Sequence, residues 1–156
     1  MRWIYFFGKF DGRISRKTFW LATLALFVIE ILLATVADMI ASELANESAG
    51  DVAGNIILLV FLYPQFVVAA KRGHDRNIAT RVIGSCYALF AVSNVLDMLG
   101  WLETRLNLKV FSTANVFSFA VLMFTGIVGL AILIELGLRK GTPGPNQYGP
   151  DPLEKK

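Results

Sequence analysis

The chain has 156 residues, enough for one domain, and 55% of them are hydrophobic. Its mean hydropathy of +0.57 exceeds what a soluble domain of this size can hide from water, whereas a bilayer removes the need to hide it. The formal charge is +3, but the cations stand beside apolar runs and not along a polar face, which argues against nucleic acid as a partner. Cys86 and His74 are each the only residue of their type, so one chain can form neither an intramolecular disulfide nor a zinc site built from histidine and cysteine.

Residues 1–18 read as a cytoplasmic, interfacial segment. The stretch "WIYFFGKF" is amphipathic, and Gly12 permits a positive φ that would fold it back along the membrane surface. In "GRISRKTFW", residues 12–20, Arg13, Arg16 and Lys17 precede Phe19 and Trp20. Cations at the cytoplasmic end with aromatic rings at headgroup level are the usual flank of a membrane helix. On a helix Arg13 and Arg16 would share a face, and paired guanidinium groups suit a phosphate. Anionic phospholipid is the simplest such ligand.

A spanning helix needs about 20 mostly apolar residues. Four segments qualify, at about 19–41, 52–70, 82–101 and 116–138. The first is too long for the roughly 7–15 residue core of a signal peptide and contains Glu30. A charge at that depth costs on the order of 3 kcal/mol, so Glu30 should face other helices, with Tyr87, Ser93 or Thr125 as partners. In the second span Pro64 frees the carbonyl of Val60 and kinks the helix, with Tyr63 and Gln65 placed to satisfy freed groups. Cys86 in the third span reads as core packing, because apolar burial disfavours a thiolate. Gly126 and Gly129 in the fourth read as close helix packing. Glu135 stands four residues before Arg139, the spacing of a helical ion pair.

Orientation follows from lysine and arginine. The N-terminal segment, the loop after the second span with Arg81 at its end, and the tail 139–156 hold thirteen of the fifteen cations. The loop 42–51 holds none and the third loop only Arg105 and Lys109. The fold class is therefore all-α, a four-helix transmembrane bundle with both termini cytoplasmic. The second loop carries "KRGHDRN", residues 71–77. His-Asp also occurs in metal-dependent phosphohydrolases, but those need further histidines, which this chain lacks. His74 with Asp75 could relay a proton. The simpler reading is a turn in which Asp75 caps the third helix or pairs with Arg72 or Arg76. The tail "GTPGPNQYGPDP" reads as turns or extended chain and lacks the ending of a phosphate-binding P-loop.

Three stretches together resemble the domain of unknown function 805 family of small bacterial membrane proteins. They are Phe10 with Gly12 to Arg16 and Phe19-Trp20; Pro64 with residues 71–77; and the tail from Gly141 to Pro150. At the second stretch the family usually reads Arg-Arg-Leu-His-Asp followed by a tryptophan-containing patch. This chain has Lys71 and Gly73 there and continues Ile78-Ala79-Thr80-Arg81. The resemblance implies a multi-pass protein of the bacterial inner membrane and supplies no reaction.

Together these readings predict a non-enzymatic membrane protein without cofactor or metal. Arg13, Arg16, Arg72, His74, Asp75, Asn146 and Tyr148 are expected to meet on the cytoplasmic face and bind anionic lipid or a partner protein. Asp75 would hold one arginine and leave another free for an anion. The competing reading is a small oligomeric transporter or channel subunit using intramembrane Glu30, with Gln65, and the Pro64 kink. A lipid-headgroup enzyme acting through His74 and Asp75 is the weakest reading.

Overall fold

The structure is a computed structural model that describes residues 2–99 and 116–154. The expected third loop, with Arg105 and Lys109, and the end of the third span at Trp101 lie outside the described residues. The described chain is helical: α1 Arg2–Gly8, α2 Arg16–Leu44, α3 Glu47–Asp75, α4 Thr80–Met98 and α5 Val116–Ile132, which continues as a π-helix over Leu133–Leu138.

Local chemistry sets the boundaries. Ser15 is extended, and its hydroxyl accepts the Thr18 N–H at 3.2 Å, which starts α2 at Arg16. Arg13 therefore precedes the helix and shares no helical face with Arg16. Asn46 caps α3 in the same way through the Ala49 N–H at 2.9 Å. The expected second loop is shorter than its composition suggests, because Lys71 to Asp75 form the last turns of α3. Nothing after Pro64 breaks the helix until Asn77, which takes φ +58°. Ile78 N–H then reaches back to the Gly73 carbonyl at 2.8 Å and Asn77 N–H to that of His74 at 3.1 Å. This is the Schellman closure, with asparagine in the left-handed position.

Among the described residues three helices are long and apolar enough to cross a membrane: Arg16–Leu44, Glu47–Asp75 and Phe117–Leu138. The segment expected as the third span forms α4 but carries Ser85, Ser93, Asn94 and Asp97 and does not reach that apolarity. Helices α2 and α3 pack as an antiparallel hairpin, α3 packs on α4, α4 on α5, and the π-helix on α2 and α3. The start of α2, the end of α3, the start of α4 and the end of the π-helix thus lie at one end of the molecule. The core sits there too, in Ile14, Phe19, Ala22, Leu26, Val68, Ala69, Ile83 and Leu136. Elsewhere large apolar side chains face outward, among them Leu24, Phe27 and Ile31 on α2 and Phe124, Ile127 and Leu130 on α5. An apolar surface of this extent calls for lipid or protein cover. Gly126 is part of that surface: a methyl group there would meet nothing within 4 Å. The close packing expected of it is absent, while a methyl group at Gly129 would lie 3.8 Å from the Phe90 ring.

Candidate functional site

Gly12, at φ +89°, turns the chain so that Arg13 points back under the end of α3. There one carboxylate is shared by two arginines. Asp75 Oδ1 accepts from Arg13 Nε at 3.1 Å and Nη2 at 2.8 Å, while Oδ2 accepts from Arg72 Nη1. The Arg13 and Arg72 side chains are each 1% exposed and that of Asp75 4%, so the triad carries a buried surplus of one positive charge. Arg76 does not join it; Arg76 pairs with Glu135 at 2.7 Å, and Glu135 also pairs with Arg139 at 2.8 Å.

Carbonyl oxygens compensate the surplus. Successive carbonyls at the end of the π-helix each accept from a side chain of α2 or α3, or from Arg76 just beyond α3. Leu136 accepts from Arg72 Nε at 2.7 Å, Gly137 from Trp20 Nε1 at 3.1 Å and Leu138 from Arg16 at 3.2 Å. Arg139 accepts from Arg72 Nη2 at 2.6 Å and Lys140 from Arg76 at 2.6 Å. Farther along, Arg13 takes the carbonyls of Thr142 at 2.7 Å, Gly144 at 2.8 Å and Gly149 at 3.2 Å. A π-helix leaves its last carbonyls without chain partners, and the arginines stand where those partners would be.

The tail from Gly141 onward folds over this cluster as a strap. Thr142 donates its N–H, at 2.7 Å, and its hydroxyl, at 3.1 Å, to the Asp75 carbonyl. Asn146 Nδ2 donates to the His74 carbonyl at 2.9 Å, and Asn146 and Gly149 exchange backbone bonds at 3.0 Å. Tyr148 stacks its ring on His74 with centroids 3.9 Å apart and planes 2° from parallel. The Gly12 carbonyl can only accept, so His74 Nδ1, 3.1 Å away, carries a proton; Nε2 meets the Thr80 hydroxyl at 2.7 Å. His74 and Asp75 thus each spend their polar atoms on other groups. Asp151 accepts from the Leu153 and Gly144 N–H groups at 2.9 and 3.1 Å. Donation by Leu153, then Gly144, together with the charge of Arg13, holds its carboxyl below the usual carboxylate range.

Several members escaped the sequence. Lys71 is 3% exposed and donates to the Phe6 carbonyl at 2.7 Å, closing the end of α1. Phe10 rests on Phe66 with centroids 4.8 Å apart, which docks the same segment. Gly141 sits where a methyl group would lie 2.6 Å from the Asp75 carboxyl carbon. Its place directly before Thr142-Pro143 was the signal available. Arg16, Lys17, Arg139 and Lys140 are exposed around the cluster.

Glu30 and Gln65 lie apart from this cluster. Glu30 is 7% exposed and accepts from Gln65 Nε2 at 2.5 Å. Its partner is thus Gln65, because Ser93 and Thr125 donate to carbonyls of their own helices and Tyr87 packs its ring against Phe66 and Phe90. Tyr63 does not turn to groups freed by Pro64 either; its hydroxyl donates to the Gly8 carbonyl at 2.8 Å. Among the described residues no three histidine, cysteine or acidic side chains converge to hold a metal ion.

The family model described as "Protein of unknown function (DUF805)" matches residues 7–150. The chain belongs to the DUF805 family. The match runs from the segment that carries Arg13 to Pro150 in the strap, so it encloses Arg13, Arg16, Arg72, His74, Asp75, Asn146 and Tyr148. This chain is 29% identical over 157 residues to the "Uncharacterized protein YiiR" of Escherichia coli strain K12, covering 99% of this chain and 91% of that one. The same figures hold for the protein of that name in Escherichia coli O157:H7. No solved structure matches the chain.

Proposed function

We propose that this DUF805 protein is a non-enzymatic, four-pass protein of the bacterial inner membrane, with both termini cytoplasmic, whose arginine end recognises anionic phospholipid. The reading of four passes rests on the ends of the helices. The start of α2 and the end of the π-helix lie together, so a chain that crosses must cross an even number of times. Helix α4, 19 residues or about 28 Å at the α-helical rise, falls within the roughly 17–25 residues of spanning helices and can carry the return pass.

The observation that carries the lipid reading is the exposed rim of Arg16, Lys17, Arg139 and Lys140 around a hydrogen-bonded base. Arg13, Arg72, His74, Asp75, Asn146 and Tyr148 build that base. Trp20 fixes its depth through the Gly137 carbonyl. Each cation near an anionic surface contributes on the order of 1 kcal/mol. The transport alternative needs Glu30 to give up Gln65 for water or an ion, and a bond that joins α2 to α3 favours a structural role. Native mass spectrometry from nanodiscs of phosphatidylglycerol and phosphatidylcholine tests the proposal. Retained phosphatidylglycerol should fall in Arg16→Ala/Lys17→Ala. Equal retention of both lipids by the unaltered protein would overturn it.

A further inference from the structure

We infer that Arg13, beside the Arg72–Asp75 pair, forms a second, inner anion site for a phosphate group, and that the C-terminal strap occupies this site in cis and exchanges with the phosphate. The inference rests on the lipid reading above and gives it a gate.

Three observations carry it. First, two guanidinium groups, each 1% exposed, share the single carboxylate of Asp75. A buried cation without an anion is strongly unfavourable, so the surplus charge must be met. Second, the atoms that bond the arginines beyond Asp75 are mostly neutral backbone: Arg13 binds the Thr142, Gly144 and Gly149 carbonyls, and Arg72 those of Leu136 and Arg139, while the strap carboxylate of Asp151 acts on Arg13 through its charge without a direct bond. Carbonyl oxygens around a guanidinium hold the positions that phosphate oxygens take in a bidentate complex, but with partial charge only. Third, the strap brings little apolar anchorage. Pro143, Pro145 and Pro150 are exposed, and Leu153 is 74% exposed. Its main attachments are the arginine bonds, the Thr142 and Asn146 bonds to α3 and the ring of Tyr148 on His74. A segment held by polar contacts over a charge surplus can be displaced by a stronger anion, whereas one held by a buried apolar face could not.

Release would begin at the strap and leave the π-helix in place. Gly141 marks the boundary, since its lack of a side chain lets the chain pass the Asp75 carboxylate. Beyond it, the Arg13 bonds to Thr142, Gly144 and Gly149 would all free together. Arg13 would then face the rim that Arg16 already lines, close to bilayer phosphates.

Hydrogen exchange of the full chain in nanodiscs tests this, at the amides of Thr142, Gly144, Asn146 and Gly149. With phosphatidylglycerol added to phosphatidylcholine, strap exchange should rise about tenfold when the lipid stands at ten times its dissociation constant for the released form. Inorganic phosphate in phosphatidylcholine nanodiscs, against chloride at equal ionic strength, separates a free anion from a headgroup. A rise with phosphatidylglycerol alone assigns the site to lipid, and a rise with phosphate to the free anion. An equal rise with chloride means charge screening and overturns the inference. Unchanged exchange with phosphatidylglycerol retained overturns the gate and leaves the lipid reading standing; unchanged exchange with none retained overturns both. Tyr148→Ala, which spares both arginines, should loosen the strap and raise phosphatidylglycerol retention. A looser strap without more retention also overturns the inference.

Discussion

The arginine end and the Glu30 level of the same bundle solve the same problem differently. At the arginine end Asp75 serves two arginines, and those arginines serve the carbonyls of Leu136, Arg139, Thr142, Gly144 and Gly149. At the Glu30 level one carboxyl meets one amide at 2.5 Å across the α2–α3 seam, and the outer faces are Leu24, Phe27 and Ile31. At the arginine end the buried charges do not match one to one, so order there demands a network whose members hold one another in place. At the Glu30 level acceptor and donor match one to one, and a single satisfied pair is enough. Removing one member of the network should therefore cost far more than softening the pair.

Asp75→Asn tests that contrast hardest. It leaves two buried guanidinium groups facing a neutral amide and should destabilise the protein by about 3–5 kcal/mol, measured as unfolding in detergent micelles. A loss no larger than that of Glu30→Gln would erase the distinction between the two regions. Gly137→Ala comes next: the new methyl group lies 2.9 Å from Trp20 Cε2, so the indole must move and drop the Gly137 carbonyl. About 1–3 kcal/mol is expected, with a shift in tryptophan emission. Glu30→Gln keeps a donor and acceptor opposite Gln65 and should cost about 1 kcal/mol or less by the same unfolding measurement. A larger loss would mean that the Glu30 carboxyl does more than bridge two helices. Gly126→Ala, which meets nothing within 4 Å, should change stability by no more than about 0.5 kcal/mol. A clear destabilisation there would point to a second chain packed on α5.

The apolar runs alone were enough to mark the chain as helical and to set α2 to within three residues at each end and α3 to within five, because hydropathy and length are local properties. Ser15, Asn46 and Asn77 were equally legible in principle, since a cap is decided by its own neighbourhood. Lys71 to Asp75 were misjudged as loop because charge in a row looks like solvent exposure. Those residues are helical and buried because Phe6, Asp75, Leu136 and Arg139 lie against them to accept their protons.

What the sequence determined by itself was the family, through Phe10 to Trp20, the His74-Asp75 stretch and the glycine- and proline-shaped tail. It also determined an all-helical chain with helices apolar enough for a membrane. What only the tertiary structure decided was pairing. Arg13 went to Asp75 and Arg16 to Leu138; Glu135 took Arg76 as well as Arg139; Glu30 took Gln65; and Tyr148 stacked on His74. Each of those choices except the Glu135–Arg139 pair joins residues at least 35 positions apart. No local rule ranks such partners, because any arginine can serve any acceptor. The ranking comes from which carbonyls the π-helix leaves open and from where the strap, turning at Gly144 and Gly149, sets its own.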